Sequence, residues 1–261
     1  MSFHLDGSVT YSVYGSSHTG GMYVKAADGG TGAGADGGTG AVASGSDPGA
    51  GGSDPRAGGS DPRPRTKAEQ REATTAALIA SARALFAERG YAGVGTEEIV
   101  QHAGVTRGAL YHHFKGGKED LFRAVLVQVS AETARHVMAA GMSTDDPWEA
   151  LVLGSEAFLD AAMTAEVQRI MLVDGPSVLG WDVWRAADAD YALGMIEGAL
   201  QHAIDAGRLV PQPAKALAHV LLGALDEAAM VVARADDPEA ARAEMGQTMR
   251  RLLEGLRGPT L

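Results

Sequence analysis

The residues best placed to do chemistry lie in one run, Thr106-Arg107-Gly108-Ala109-Leu110-Tyr111-His112-His113-Phe114-Lys115, with Lys118 just beyond. Their chemistry is recognition rather than bond-making. An arginine fork suits a bidentate contact to guanine. Tyrosine and histidine can donate to phosphate oxygens, and lysine supplies a point charge. Gly108 lets a helix backbone approach a partner closely, and Ala109 can touch a thymine methyl. Taken alone, such a run is usually a helix surface with one buried edge. His112-His113 as a metal pair is disfavoured, because neighbours on a helix point about 100° apart and one ion cannot easily take both. His102 reads as an exposed polar residue at a helix end.

The elements around this run give it direction. Thr66–Arg89 is rich in Ala, Glu, Arg and Leu, with Leu78, Ile79, Ala82, Leu85 and Phe86 forming one apolar stripe, and Gly90 supplies the stop. Thr96 reads as an N-cap, with Glu97 and Glu98 in the first turn, where the helix dipole favours anions. That short helix ends near His102. Ala103-Gly104-Val105 makes a tight turn, and Thr106 caps a second short helix over Arg107–Phe114. Lys118 then opens a long helix to about Ala140. Ile99, Ala103, Val105, Leu110 and Phe114 are expected to pack against Leu85 and Phe86. Thr106, Arg107, Gly108, Ala109, Tyr111 and His113 are left to face outward. Two short helices joined by a glycine turn make a helix-turn-helix, and the second fits a major groove about 12 Å wide.

This segment resembles the TetR family of bacterial transcriptional regulators. The resemblance rests on Thr96, Ile99, Ala103-Gly104-Val105, Gly108, Leu110-Tyr111, His113-Phe114-Lys115, Lys118 and Leu121. Upstream, Ala84-Leu85-Phe86 and Gly90-Tyr91 also match. It spans roughly residues 70–123. Val100, where the family usually has alanine, enlarges a packing position, and Gly116-Gly117 loosens the exit of the recognition helix. The resemblance implies that Thr96, Tyr111, His113 and Lys115 or Lys118 contact phosphates. Arg107, Gly108 and Ala109 would then face base edges of double-stranded operator DNA.

Net charge tests that implication. The whole chain carries −11, which argues against a nucleic-acid partner if read as one number. The signs segregate: residues 1–64 carry −3, residues 65–123 carry +2 and residues 124–261 carry −10. The groove-facing unit is therefore the basic one. Of the 35 glycines, 17 precede residue 65, and Ser-Asp-Pro recurs every seven residues from Ser46. Such a segment cannot bury enough apolar area to offset its ordering entropy, so 1–64 is expected to be a disordered tail. It fits an extension upstream of an internal start at Met22 as well as a tail in its own right. Gly32–Gly37 matches G-x-G-x-x-G, but without a strand before it or a helix after it the dinucleotide reading fails.

The chain has no cysteine, which excludes a disulfide scaffold, thiolate metal sites and a cysteine nucleophile. No uninterrupted apolar run approaches the ~20 residues of a membrane span. A soluble cytoplasmic protein with no cofactor and no membrane partner is expected. The remaining sequence predicts helices near Pro147–Ala162, Ala165–Val173, Trp181–Ala206, Pro213–Ala235 and Pro238–Leu256, with the prolines at first-turn positions. The fold class is all-α. A three-helix DNA-binding domain spans 65–123, and a larger helical domain for effector binding and dimerisation spans 124–261.

In that larger domain Phe158, Met163, Met171, Trp181, Trp184, Tyr191 and Met195 are expected to line a small-molecule effector pocket, since aromatics and adaptable methionines suit an apolar cavity. The same residues would equally serve as core. Leu217, Val220, Leu221 and Ala224, with Met249, Leu252 and Leu253, make apolar stripes expected to form a homodimer interface. Together these features predict a ligand-responsive repressor. It would bind a palindromic operator as a dimer and be released by a small effector. Two alternatives are a helical carrier or enzyme with an incidental helix-turn-helix and an acidic adaptor. Asp160, Glu166 and Asp174 would have to serve the former, and they lack ligand spacing such as H-E-x-x-H.

Overall fold

The computed structural model describes residues 66–257 and the backbone of three short strands before them; of residues 187–191, and of the strands, only the backbone is described. Contacts divide the chain into Met1–Lys67 and Ala68–Leu261. In the first unit, β1 (Ser2–Leu5), β2 (Val9–Gly15) and β3 (Met22–Lys25) pair antiparallel in that order, with Phe3 opposite Tyr11 and Val13 opposite Val24. The sequence reading placed no strand there. The expectation of disorder over 1–64 otherwise falls on residues outside the described ones.

The second unit is helical throughout its described residues. α1 (Lys67–Arg89) buries Thr75, Leu78, Ala82, Leu85 and Phe86 on one face. It stops at Gly90, whose φ of 75° a side chain would resist. α2 (Thr96–His102) begins one residue earlier in its bonding than expected. Gly95, not Thr96, is the N-cap, because the Ile99 N–H reaches the Gly95 carbonyl at 3.2 Å. Gly104, at φ 65°, turns the chain, and the Val105 N–H closes the turn on the Val100 carbonyl at 3.0 Å. α3 (Arg107–His113) is capped by Thr106, whose Oγ1 accepts the Ala109 N–H at 3.2 Å. Ile99 and Leu110 are fully buried and Phe114 nearly so, as the spacing requires. The rings of Phe86, Tyr91 and Phe122 form a contiguous cluster with centroids 5.1 to 5.7 Å apart.

α4 (Lys118–Gly141) runs from this core into the larger bundle. There it packs against α5 (Pro147–Ala161), α7 (Trp181–Asp205) and the segment before α7. α8 (Ala214–Arg234) and α9 (Pro238–Glu254) complete the bundle. Asp146 and Asp237 cap α5 and α9, each followed by a proline that has no N–H to waste. Pro213 is itself the cap of α8. By length and composition α8 could cross a membrane; here Ala218, Leu222, Leu225, Ala229 and Val232 are buried in the bundle.

The expected simple helix at Ala165–Val173 is instead a π-helical segment, Val167–Asp174, running into a short α6, Gly175–Leu179, which the periodicity did not signal. Its local chemistry explains both. In i→i+5 register the Met171 carbonyl would look to position 176, which is proline and has no N–H. The Trp184 indole supplies the missing donor, Nε1 to the Met171 carbonyl at 2.8 Å. Gly175 makes room for that ring, since a Cβ there would stand 2.6 Å from Trp184 Cδ1.

Candidate functional site

α3 presents Thr106, Arg107, Gly108 and Tyr111 to solvent, with Ala109 half-buried at the same face. The Arg107 guanidinium lies 5.7 Å from the Tyr111 ring centre, one helical turn away. A Cβ on Gly108 would meet only Thr106 Oγ1, at 3.8 Å, so nothing inside the protein requires glycine there. Gly116-Gly117 does not loosen the exit of α3. Gly117 sits at φ 66° with its N–H on the Phe114 carbonyl at 2.8 Å, and the Gly116 N–H reaches Asp120 Oδ2 at 2.6 Å. Tyr111 Cε1 would lie 3.0 Å from a Cβ on Gly117, so the glycine also seats the tyrosine.

Two residues expected at phosphates have further duties. His113 Nδ1 is 2.9 Å from Thr75 Oγ1, which is itself 3.1 Å from the Arg71 carbonyl. The hydroxyl has one proton to give, and the carbonyl can only accept, so the Nδ1–H donates to Thr75. Nε2 is then a bare acceptor in the neutral ring. Burial, His112 and Arg71 all hold the imidazole pKa below its ordinary value. Lys118 Nζ donates to the carbonyls of Tyr91 and Val94, both at 2.9 Å, and lies 3.9 Å over the Tyr91 ring. It clamps the loop between α1 and α2, at a position where the sequence pointed to a phosphate contact from Lys115 or Lys118. Thr96 is half-buried at the start of α2, while Lys115 is exposed.

The same unit is latched to the bundle. Arg83 of α1 binds Glu166 through Nε (2.8 Å) and Nη2 (2.6 Å), and its Nη2 also meets Glu132 of α4 at 2.7 Å. The paired guanidinium pulls the Glu132 carboxyl below its ordinary range. Arg169 donates to the Glu88 carbonyl at 2.6 Å, and Asp174 accepts the Tyr91 N–H at 2.6 Å. Behind this latch the bundle forms a partly open cavity of about 400 Å³. Thr133 and Val137 of α4, Phe158 of α5, Met171, Met195 of α7 and Leu225 of α8 stand on its wall.

Comparisons with known proteins decide the identity. Residues 78–125 match the family described as bacterial regulatory proteins, tetR family, and residues 148–256 match the tetracyclin repressor-like C-terminal domain. A TetR-family transcriptional regulator from Pectobacterium atrosepticum superposes with a TM-score of 0.68 at 34% identity, covering 76% of this chain and all of that one. The chain belongs to the TetR family. The transposon Tn10 TetC protein of Escherichia coli is 28% identical over 158 residues, 59% of this chain and 78% of its own. The transcriptional regulator SrpR of Pseudomonas putida is 29% identical over 150 residues, 56% and 68% respectively. This TetR-family chain is a helix-turn-helix transcriptional regulator.

With the family known, the remaining expected positions of this TetR-family regulator can be placed. Phe158, Met171 and Met195 line the cavity; Met163, Trp181 and Trp184 do not. Trp181 is 58% exposed, and Trp184 is spent inside the bundle on the Met171 carbonyl. The side chain of Tyr191 lies outside the described residues. Of the expected dimer stripes, Leu221, Met249 and Leu253 are buried within the chain, with Leu221 on the cavity wall. Leu217 and Ala224 are half-buried, while Val220 (69%) and Leu252 (57%) are exposed. Asp160, Glu166 and Asp174 form no joint centre: each is taken by Arg242, Arg83 or the Tyr91 N–H. No group of metal-ligating side chains occurs among the described residues. The sequence reading missed Ser130, Thr133 and Val137 on α4, and the latch residues Arg83, Glu132 and Arg169. It also missed Arg71, whose charge bears on His113.

Proposed function

We propose that this regulator represses transcription in the cytoplasm as a homodimer. On this reading α3 of each copy enters one major groove of a palindromic operator, and a small molecule in the bundle cavity releases it. Arg107, Gly108 and Ala109 face base edges. Thr96, Thr106, Tyr111 and Lys115 face phosphates, joined by His113 when its ring is protonated. The observation that carries the effector part is the placement of Met171. It stands on the cavity wall, three residues before Asp174, which grips the loop after α1. A ligand that repacks Met171 therefore has a short covalent route to the DNA-binding unit, alongside α4, which lines the cavity and begins at the Lys118 clamp. Differential affinity of the ligand for two orientations of that unit is all that release requires.

Binding of the purified chain to the DNA upstream of its own gene, measured by fluorescence anisotropy across a salt series, tests the reading. Sequence-selective binding with a steep salt slope is expected. Equal affinity for unrelated DNA of the same length would remove it. No specific observation favours the carrier or adaptor alternatives.

A further inference from the structure

The cavity has a chemistry that selects its ligand. Its wall is apolar on every element that forms it: Val137 and Met138, Leu151 and Phe158, Ile196, and Leu222. Among the described residues, no lysine or arginine lines it. Among the described residues the one carboxylate on the wall is Asp145, which is exposed, and His202 is likewise exposed. An anion entering this space would lose its hydration without meeting a cation, and Asp145 would oppose it. Polar capacity in the interior is small and specific. The Ser155 hydroxyl already donates to the Leu151 carbonyl at 2.8 Å. Ser130 and Thr133, one turn apart on α4 and nearly fully buried, make no hydrogen bond within the described residues. Two unpartnered hydroxyls that open onto a ligand-sized cavity wall are suited to one polar group brought in from outside. At the packing density of protein interiors, 400 Å³ holds on the order of 20 non-hydrogen atoms.

We infer that the cavity takes an uncharged lipophilic molecule of about that size, carrying one hydroxyl, carbonyl or amine toward Ser130 and Thr133, and that it rejects organic anions. This rests on the reading of the cavity as the effector site, and its test is independent of DNA.

Two dyes sharing one skeleton make the probe: neutral N-phenyl-1-naphthylamine and its sulfonate, 8-anilino-1-naphthalenesulfonate. Each is titrated by fluorescence into the full-length chain. The neutral dye is expected to saturate at one site per chain and to bind at least tenfold more tightly than the sulfonate. Ala199→Phe, which fills the cavity from α7, is expected to abolish neutral-dye binding. Met195→Lys, which puts a cation on the wall, is expected to narrow or invert the preference, and it carries the test if Ala199→Phe fails to fold by circular dichroism. The inference is overturned if the sulfonate binds as tightly as the neutral dye at the site Ala199→Phe blocks. It is also overturned if neutral-dye binding survives in a folded Ala199→Phe, or if Met195→Lys leaves the preference unchanged. Neutral-dye binding that leaves operator affinity untouched would support the ligand class while counting against the effector reading.

Discussion

Asp174 Oδ2 accepts the backbone N–H of Tyr91 at 2.6 Å, tying the end of the π-helical segment to the loop that follows α1. Tyr91 in turn lies under the Lys118 ammonium, which also holds its carbonyl. One residue of the DNA-binding unit is thus gripped from the bundle through its N–H and from α4 through its carbonyl and ring. Asp174→Ala is expected to cost about 1–3 kcal/mol, because it leaves a part-buried N–H without its partner. It should also expose the Tyr91 amide to hydrogen exchange. If cavity and DNA unit communicate here, ligand binding will change exchange at Tyr91 in the wild type and not in Asp174→Ala. Identical changes in both would place the coupling elsewhere.

Gly108 separates a binding role from a folding one. A Cβ there meets nothing closer than 3.8 Å, and alanine is the better helix former by about 1 kcal/mol. Gly108→Ala is therefore expected to leave the thermal midpoint unchanged or raised while weakening operator binding, because on the proposed docking the added methyl stands where the DNA approaches. Arg107→Ala should instead relax selection at a single base position by about tenfold. A selection experiment on randomised operators distinguishes the two.

The two lysines flanking the Gly116-Gly117 turn should behave differently. Lys115 is exposed, so Lys115→Ala is expected to reduce the salt slope of DNA binding by about one and leave stability alone. Lys118 satisfies two carbonyls from a half-buried position. Lys118→Ala is expected to lower the unfolding free energy measured by denaturant titration by about 1–3 kcal/mol and to weaken all DNA sequences alike.

The Arg83–Glu132 contact gives the latch a pH dependence of known sign. The folded-state pKa of Glu132 is lowered, chiefly by its hydrogen bond from Arg83. Its contribution is therefore fully present above the ordinary glutamate value of 4.5 and fades as pH falls through the depressed value. The stability gap between wild type and Glu132→Gln should stay constant from neutral pH down to about 5 and close below that. A gap that widens in acid would contradict the assignment.

The helix-turn-helix was legible because its signals are local. Gly104 needs positive φ, Thr106 needs a free N–H to cap, and Ile99 and Leu110 recur at helical spacing. The cavity was half legible. Phe158, Met171 and Met195 stand out by size, but Thr133 and Val137 look like ordinary helix residues until α5 and α7 close over them. Trp184 misled because size marks both cavity walls and core. Only the Met171 carbonyl, orphaned by Pro176, shows which it is. The latch was invisible for the same reason: Arg83 and Glu166 are 83 positions apart, and no periodicity links them.

The dimer stripes show how far periodicity goes and where exposure must take over. Leu252 and Leu253 are neighbours, yet one is 57% exposed and the other 1%. On α8, Ala216, Val220, Gly223 and Val231 share the outward face, with Val220 69% exposed. A surface pairing through α8 and α9 should therefore be broken by Leu252→Arg or Val220→Arg without harm to the fold. Light scattering is expected to show monomers with an unchanged unfolding midpoint. Operator affinity should fall steeply, because one α3 reads only a half-site and the second must lie ~34–36 Å away. Leu253→Arg, placed in the core, is expected to unfold the bundle instead, since a buried charge without a partner costs several kcal/mol. Should Leu252→Arg and Val220→Arg both remain dimeric at micromolar concentration, the pairing face is not the one formed by α8 and α9.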